Sequence, residues 1–281
     1  MSIPYLNGYF VKPSEINSAG VVRFTDGTNT FTPNQQQCEA YGYTYDSESG
    51  TCVAFVYNTK LEESIANERN VTAGSGNTIE TGSTNTFIMG EDNIVKGLTR
   101  NNIIAGNNNQ ISNGVNNTYV YGSLGESTAD NSIVLGGNTK DDILGERQSI
   151  QLMYGTQTTA GSTVDSYLNN TTDSYFQIPL NSIFYFHADV IAVRVGGSAG
   201  SGAVGDYASF VERGVVIQKA EGAEIQRERD AIKSDGTVTD WRPVASVNGL
   251  NFLMTVRGET DTTIEWCSNI TITQIKTGVS F

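Results

Sequence analysis

Between residues 77 and 122 asparagine recurs at every eighth position, as Asn77, Asn85, Asn93, Asn101, Asn109 and Asn117. Two places after each stands a bulky apolar or aromatic residue: Ile79, Phe87, Val95, Ile103, Ile111 and Tyr119. Five places after come Gly82, Gly90, Gly106, Gly114 and Gly122, with one slip where Gly97 precedes Leu98. A further unit, Asn131-Ser132-Ile133-Val134-Leu135-Gly136, follows fourteen residues after Asn117. Fixed short periods are the mark of a solenoid, in which each unit stacks on its neighbour. Eight residues hold one short strand and one turn, the glycine and asparagine supplying backbone angles that other residues resist.

A second period lies inside the first. The triplets after Asn85, Asn101, Asn117 and Asn131 are apolar throughout: Phe-Ile-Met, Ile-Ile-Ala, Tyr-Val-Tyr and Ile-Val-Leu. Those after Asn77, Asn93 and Asn109 are apolar only at the first place: Ile-Glu-Thr, Val-Lys-Gly and Ile-Ser-Asn. The coil is therefore sixteen residues with two strands. Alternation along a strand predicts that the first residue of each triplet points inward and the second outward. That places Glu80, Lys96 and Ser112 in water, and puts Ile88, Ile104, Val120 and Val134 in an apolar ladder outside the coil. An exposed ladder must be covered, and the expectation is a homotrimer that meets on these four residues.

Only 17% of residues are charged, with 30 Asp+Glu against 17 Lys+Arg and a net charge of −13. Abundant glycine (30) and sparse charge disfavour helical bundles. An acidic chain repels phosphates, so no nucleic-acid partner is expected. The densest basic cluster, Gln226-Arg227-Glu228-Arg229-Asp230, reads as neutralised by its own acids. No run approaches the roughly 18 apolar residues of a membrane span, so no membrane insertion is expected. The N-terminus lacks a basic-then-apolar leader, which predicts assembly in a cytoplasm. Three cysteines, Cys38, Cys52 and Cys267, fit that compartment, and Cys38 and Cys52 are expected as reduced core residues.

Residues 1–57 read as a small β-rich module, with strands at 20–24 and 52–57, and residues 58–70 as a short helical connector. The solenoid is assigned to 71–148. From 149 to 281 longer β-rich runs, at 183–193, 206–218, 249–256 and 262–275, predict an antiparallel β-sandwich. The fold class expected is thus mainly β: a short parallel β-solenoid shaft followed by a β-sandwich knob.

The sequence carries no recognisable catalytic motif. Gly200-Ser201-Gly202-Ala203-Val204-Gly205 matches G-x-G-x-x-G, but strand-like sequence follows it where a helix is required, so it reads as a hairpin loop. His187, the only histidine, sits mid-strand beside Asp189 and reads as a strand-face residue. Paired carboxylates form in space and are not legible in sequence. The repeat carries asparagine where calcium-binding solenoids carry aspartate. Trp266 reads as core, and Trp241, in an apparent loop, as a possible receptor contact. No catalytic residue, cofactor or metal site is expected.

Gly196 to Phe210, followed later by Thr262-Thr263-Ile264-Glu265-Trp266, resembles the terminal domains of bacteriophage tail-fibre and related virion appendage proteins. The Asn/Gly octads resemble the shafts of such fibres and the β-roll heads of trimeric adhesins. Cys38 to Tyr45 is similar to segments of marine phage structural proteins. The resemblance implies a trimeric virion appendage. Residues 1–57 would hold other virion structural proteins, and residues 149–281 would face a host-surface receptor of carbohydrate type. On this reading the chain is not an enzyme. The alternatives are a tailspike-like enzyme that degrades host polysaccharide and a head fibre without a receptor role.

Overall fold

The computed structural model describes residues 11–17, 20–47, 49–54, 69–137, 140–169, 171–198, 202–235, 238 and 240–279. The chain divides into two compact units, Met1–Ile65 and Ala66–Phe281. The helix expected over 58–68 lies outside the described residues.

The first unit holds β1 (Lys12–Ile16), β2 (Val22–Thr25), β3 (Thr30–Phe31), α1 (Gln35–Ala40), β4 (Thr44–Asp46) and β5 (Thr51–Val53). Asn34 opens α1 with a capping box: its side chain accepts the Gln37 N–H while Gln37 accepts the Asn34 N–H. Val22, Phe24, Cys38 and Cys52 form a small buried core. Here the expectation of free thiols is corrected, because Cys38 and Cys52 are joined in a disulfide with their Cα atoms 5.6 Å apart. The helix and the hairpin strand β5 bring the two residues together, a proximity that an odd cysteine count does not reveal. A loop of this length, 14 residues in separation, is stabilised by about 3 kcal/mol through the crosslink. Reduction should therefore lower the unfolding free energy of this unit by that amount, measured by urea denaturation with and without dithiothreitol.

The solenoid is built from β6 (Val71–Ala73), β7 (Thr78–Ile79), β8 (Thr84–Glu91), β9 (Ile94–Val95), β10 (Arg100–Asn107), β11 (Gln110–Ile111), β12 (Tyr119–Ser123), β13 (Glu126–Ser127) and β14 (Ser132–Gly136). Strands β6, β8, β10, β12 and β14 form one parallel sheet; β7, β9, β11 and β13 form the other. Each residue pairs with the one sixteen places on, as in Ile88↔Ile104 and Ile104↔Val120, until the shorter step Val120↔Val134.

The two asparagine sets do different work. Asn93 and Asn109 are buried and form a ladder inside the coil. Asn109 Nδ2 donates to Asn93 Oδ1 (3.0 Å) and to the Gly122 carbonyl (2.9 Å), and its Oδ1 accepts the Gly125 N–H (2.8 Å). Asn85, Asn101, Asn117 and Asn131 instead take left-handed backbone angles, with φ between 53° and 58°. That conformation shifts the in–out alternation of the following strand by one residue. Thr86, Asn102, Thr118 and Ser132 turn inward, and so do the second members of the triplets.

The inside–outside assignment of the ladder is therefore corrected. Ile88, Ile104, Val120 and Val134 have no exposure in the single chain and lie within the coil, so they cannot meet a second chain. Their neighbours Phe87, Met89, Tyr119, Tyr121, Ile133 and Leu135 are exposed instead. On the other sheet the expected alternation holds: Val95 and Ile111 are buried, and Lys96 pairs with Glu80 at 2.8 Å on the outside.

The turn glycines Gly82, Gly90, Gly106, Gly114 and Gly122 all take positive φ. At the slip in the repeat, Leu98 itself occupies the left-handed position (φ 61°), and Gly97 sits where a Cβ would come within 3.0 Å of the Thr81 carbonyl.

After the last coil the chain continues as β15 (Arg147–Thr158), β16 (Thr163–Ser166), β17 (Phe176–Gln177), β18 (Ser182–Gly196), β19 (Tyr207–Lys219), β20 (Gly222–Ser234), β21 (Arg242–Asn248), β22 (Asn251–Arg257) and β23 (Thr263–Lys276). Strand β15 pairs antiparallel with β14, so one solenoid sheet runs on into a ten-stranded sheet ordered β20-β19-β18-β23-β15-β14-β12-β10-β8-β6. A second antiparallel sheet, β16-β22-β17 with β21 on β22, packs on it through Phe184, Phe186 and Phe252, with the Phe186 and Phe252 rings 5.1 Å apart. Coil and antiparallel layers share one buried core. Trp266 is in that core as expected. So is Trp241, only 5% exposed with its ring 6.1 Å from that of Trp266. Its reading as a receptor contact is corrected: the loop-like sequence before it leads directly into β21. β18 and β19 pair antiparallel on either side of the G-x-G-x-x-G segment, whose first two residues, Gly200 and Ser201, lie outside the described residues.

Candidate functional site

Strands β6, β8, β10, β12 and β14 present two apolar rows to the outside. One is Val71, Phe87, Ile103, Tyr119 and Ile133; the other runs Met89, Ala105, Tyr121 and Leu135. Beyond β14 the same face is mixed, with Met153, Tyr185 and Ile191 exposed on it among polar side chains. Gln151 Nε2 donates to Asn269 Oδ1 (3.0 Å), and His187 Nε2 lies 3.3 Å from Asp189 Oδ1. His187 is thus a strand-face residue, as expected.

At the edge of the apolar rows lies a groove of about 700 Å³. Asn117, Tyr119, Asn131, Ile133, Met153 and Tyr167 line it, together with Asn169 from the loop that crosses the coil ends. A smaller hollow lined by Leu98, Arg100, Asn101 and Asn116 lies next to it, with Asn117 and Asn169 on the wall between them.

The regular coil explains how the amides come to be there. Asn85 Nδ2 donates to Asn101 Oδ1 (2.7 Å) and Asn101 Nδ2 to Asn117 Oδ1 (3.0 Å). The ladder stops at Asn117, whose own amide N–H groups have no partner among the described residues. The next asparagine, Asn131, turns away to donate to the Leu168 carbonyl. That bond anchors the loop, and Asn169 adds a second by donating to Asp130 Oδ2, while Asp130 Oδ1 accepts the Asn116 N–H at 2.7 Å.

The groove wall is equally fixed. The buried Tyr154 hydroxyl donates to the Phe252 carbonyl (3.0 Å) and accepts the Phe176 N–H (2.9 Å), and burial raises its pKa. The Tyr167 ring lies 5.5 Å from that of Tyr175. The Tyr175 hydroxyl donates to Asp165 (2.8 Å); burial, then that carboxylate, hold it neutral well above the usual tyrosine range. Rigid aromatic faces beside planar amides, each both donor and acceptor, form a surface that sugars fit: ring faces take the apolar C–H side and amides take hydroxyls.

Of the residues singled out from sequence, Asn117, Tyr119, Asn131, Ile133 and Trp266 line this groove, Asn101 lines the hollow beside it, and Trp241 lines neither. Tyr167 and Asn169 were missed, since they follow the end of the repeat and carry no periodic signal.

No family model and no curated protein sequence matches the chain. Among solved structures it is similar to the tailspike of Acinetobacter baumannii phage AM24, at 12% identity and a TM-score of 0.26, covering 76% of this chain and 51% of that one. It is similar also to the tailspike of Acinetobacter phage vB_ApiP_P1, at 11% identity and a TM-score of 0.23, covering 74% and 48%. A third is tailspike gp49 of A. baumannii bacteriophage Fri1, a capsular polysaccharide depolymerase, at 8% identity and a TM-score of 0.26, covering 73% and 48%. The chain spans about half the length of these tailspikes. Its structural neighbours are thus phage tailspike proteins, one of them an enzyme. The expectation that the chain is not an enzyme is corrected on that finding and is not retained.

Proposed function

We propose that the chain is part of a tailspike-like virion appendage that engages host-surface polysaccharide in the groove beside Tyr119 and Tyr167. The observation that carries this reading is the end of the asparagine ladder: Asn117 leaves unpartnered donors in a groove walled by tyrosine rings. The outer row Met89, Ala105, Tyr121 and Leu135, which does not line the groove, supports assembly into a homotrimer, since a parallel β face of this kind is uncovered only in isolation. Three copies would present three grooves, and weak sugar sites gain strength by avidity. The N-terminal module, a unit of its own, is the part assigned to the particle. Cleavage of the bound polysaccharide, the activity of the Fri1 tailspike, would take place in the same groove.

The test is calorimetric titration of capsular oligosaccharide into the protein. Tyr167→Ala should weaken binding roughly ten-fold by removing one wall, with the melting curve unchanged. Reducing ends released from intact capsule measure cleavage. Equal affinity in wild type and Tyr167→Ala would move the binding site elsewhere.

A further inference from the structure

The charge cluster of β20 is not neutral in three dimensions. Across the pleat, Arg213 takes Glu228 and lies 3.5 Å from Asp230 on one side of the strand. Arg227 and Arg229 lie on the other side, where they border a cleft of about 560 Å³ with Arg242 and Arg257. Four guanidinium groups thus converge in a chain whose net charge is −13. Of the carboxylates there, Glu228 is engaged by Arg213. Glu212 is fully buried, and burial raises its pKa against the Ala245 N–H (3.1 Å) and Arg227 (2.7 Å).

Arg227 and Arg229 are explained by the fold. Arg227 compensates Glu212, and Arg229, register partner of Glu212, donates to the Pro243 carbonyl at 2.9 Å. Arg242 and Arg257 are not explained this way. They are direct cross-strand partners on β21 and β22, a like-charge placement that destabilises a sheet unless something offsets it. Arg257 gives only its Nε–H, to the Gly161 carbonyl (3.0 Å), and Arg242 has no partner among the described residues. The next residue on that row, across from Arg257, is Thr163, a hydroxyl. Asp165, one row along on β16, is held by Tyr175. The cleft therefore holds several unspent guanidinium N–H groups in the fork geometry that matches oxyanions.

We propose that this cleft binds an oxyanion, the carboxylate or phosphate substituent of an acidic saccharide. The saccharide carrier rests on the polysaccharide reading above; the anion site itself does not. It would make the appendage selective for acidic polysaccharide over neutral, by contacts remote from the tyrosine groove.

The full chain is titrated with a glucuronate-containing oligosaccharide, a neutral oligosaccharide of the same length, and inorganic phosphate, following the arginine Nε–H resonances. Both anions should shift the Arg257 and Arg242 signals, and the effect should fade in about 1 M salt, where the Debye length falls to about 3 Å. Arg242→Gln and Arg257→Gln should each weaken anion binding roughly ten-fold, leave neutral-sugar binding unchanged and, by relieving the like-charge pair, not lower the melting temperature. Anion binding equal in wild type and both variants, or absent from wild type, overturns the site. Phosphate binding without glucuronate binding overturns the saccharide assignment. Tyr167→Ala keeps the two readings apart, since it should alter neutral-sugar binding and spare the phosphate response.

Discussion

Replacing Ile104 with Asp is expected to unfold the solenoid, not merely to part its copies. Ile104 has no exposure and sits between Ile88 and Val120 in the coil, so a carboxylate there would be enclosed by aliphatic side chains. The loss combines the buried methyl groups with the cost of an unpaired charge in a dry core, together about 3–5 kcal/mol or more. A domain of ordinary stability, about 5–15 kcal/mol, has little left after that. Met89→Asp provides the contrast, because Met89 is 52% exposed on the outer face. It should leave the unfolding free energy of the single chain within about 0.5 kcal/mol of wild type and weaken self-association in sedimentation. Wild-type melting of Ile104→Asp would show that the ladder does not line the coil.

That contrast marks where the sequence was read well and where it misled. The eight-residue asparagine period, the sixteen-residue coil and the turn glycines all appear in the fold, since stacking makes each coil repeat the same backbone angles. The direction of the alternation did not follow, because it depends on which asparagines are left-handed. Asn93 and Asn101 look alike in sequence, yet one buries its amide and the other reverses the strand's facing. The four long C-terminal strands were legible from β-branched and aromatic runs. The edge strand β20 was not, since Arg227, Glu228, Arg229 and Asp230 are read as a mixed cluster until pleating sorts them to opposite sides. Trp241 differs from its reading for a similar reason: the turn residues before it hide the start of β21, which begins at the next residue and sets its ring against that of Trp266. The Cys38–Cys52 bridge and the crossing loop at Tyr167 and Asn169 depend on tertiary proximity alone. Of the candidate groove, the wall built by the repeat (Asn117, Tyr119, Asn131 and Ile133) is therefore legible in the sequence, and the loop wall is not.

The coil stack makes a second severe prediction, for Gly106→Ala. Gly106 has φ +139°, a conformation open essentially to glycine alone. A Cβ built there would lie 1.8 Å from the carbonyl oxygen of Gly122 on the next coil. Gly74 and Gly90 stand in the same relation, each 1.9 Å from the carbonyl of the glycine sixteen residues on. The backbones pass too closely for any side chain, and the nearest atoms are main chain, so rotation of a side chain gives no relief. To admit the methyl group, β10 must move off β12, and the Asn109 amide that reaches the Gly122 carbonyl must shift with it. Strain and lost bonds together should cost on the order of 4 kcal/mol. Gly114→Ala separates angle from contact: its φ is +75°, and nothing lies within 4 Å of the added carbon. That change should cost about 1–2 kcal/mol, the penalty for a left-handed L-residue. Urea denaturation of both variants gives the comparison. Equal midpoints would mean that the coils are not packed as closely as Gly106 and Gly122 require.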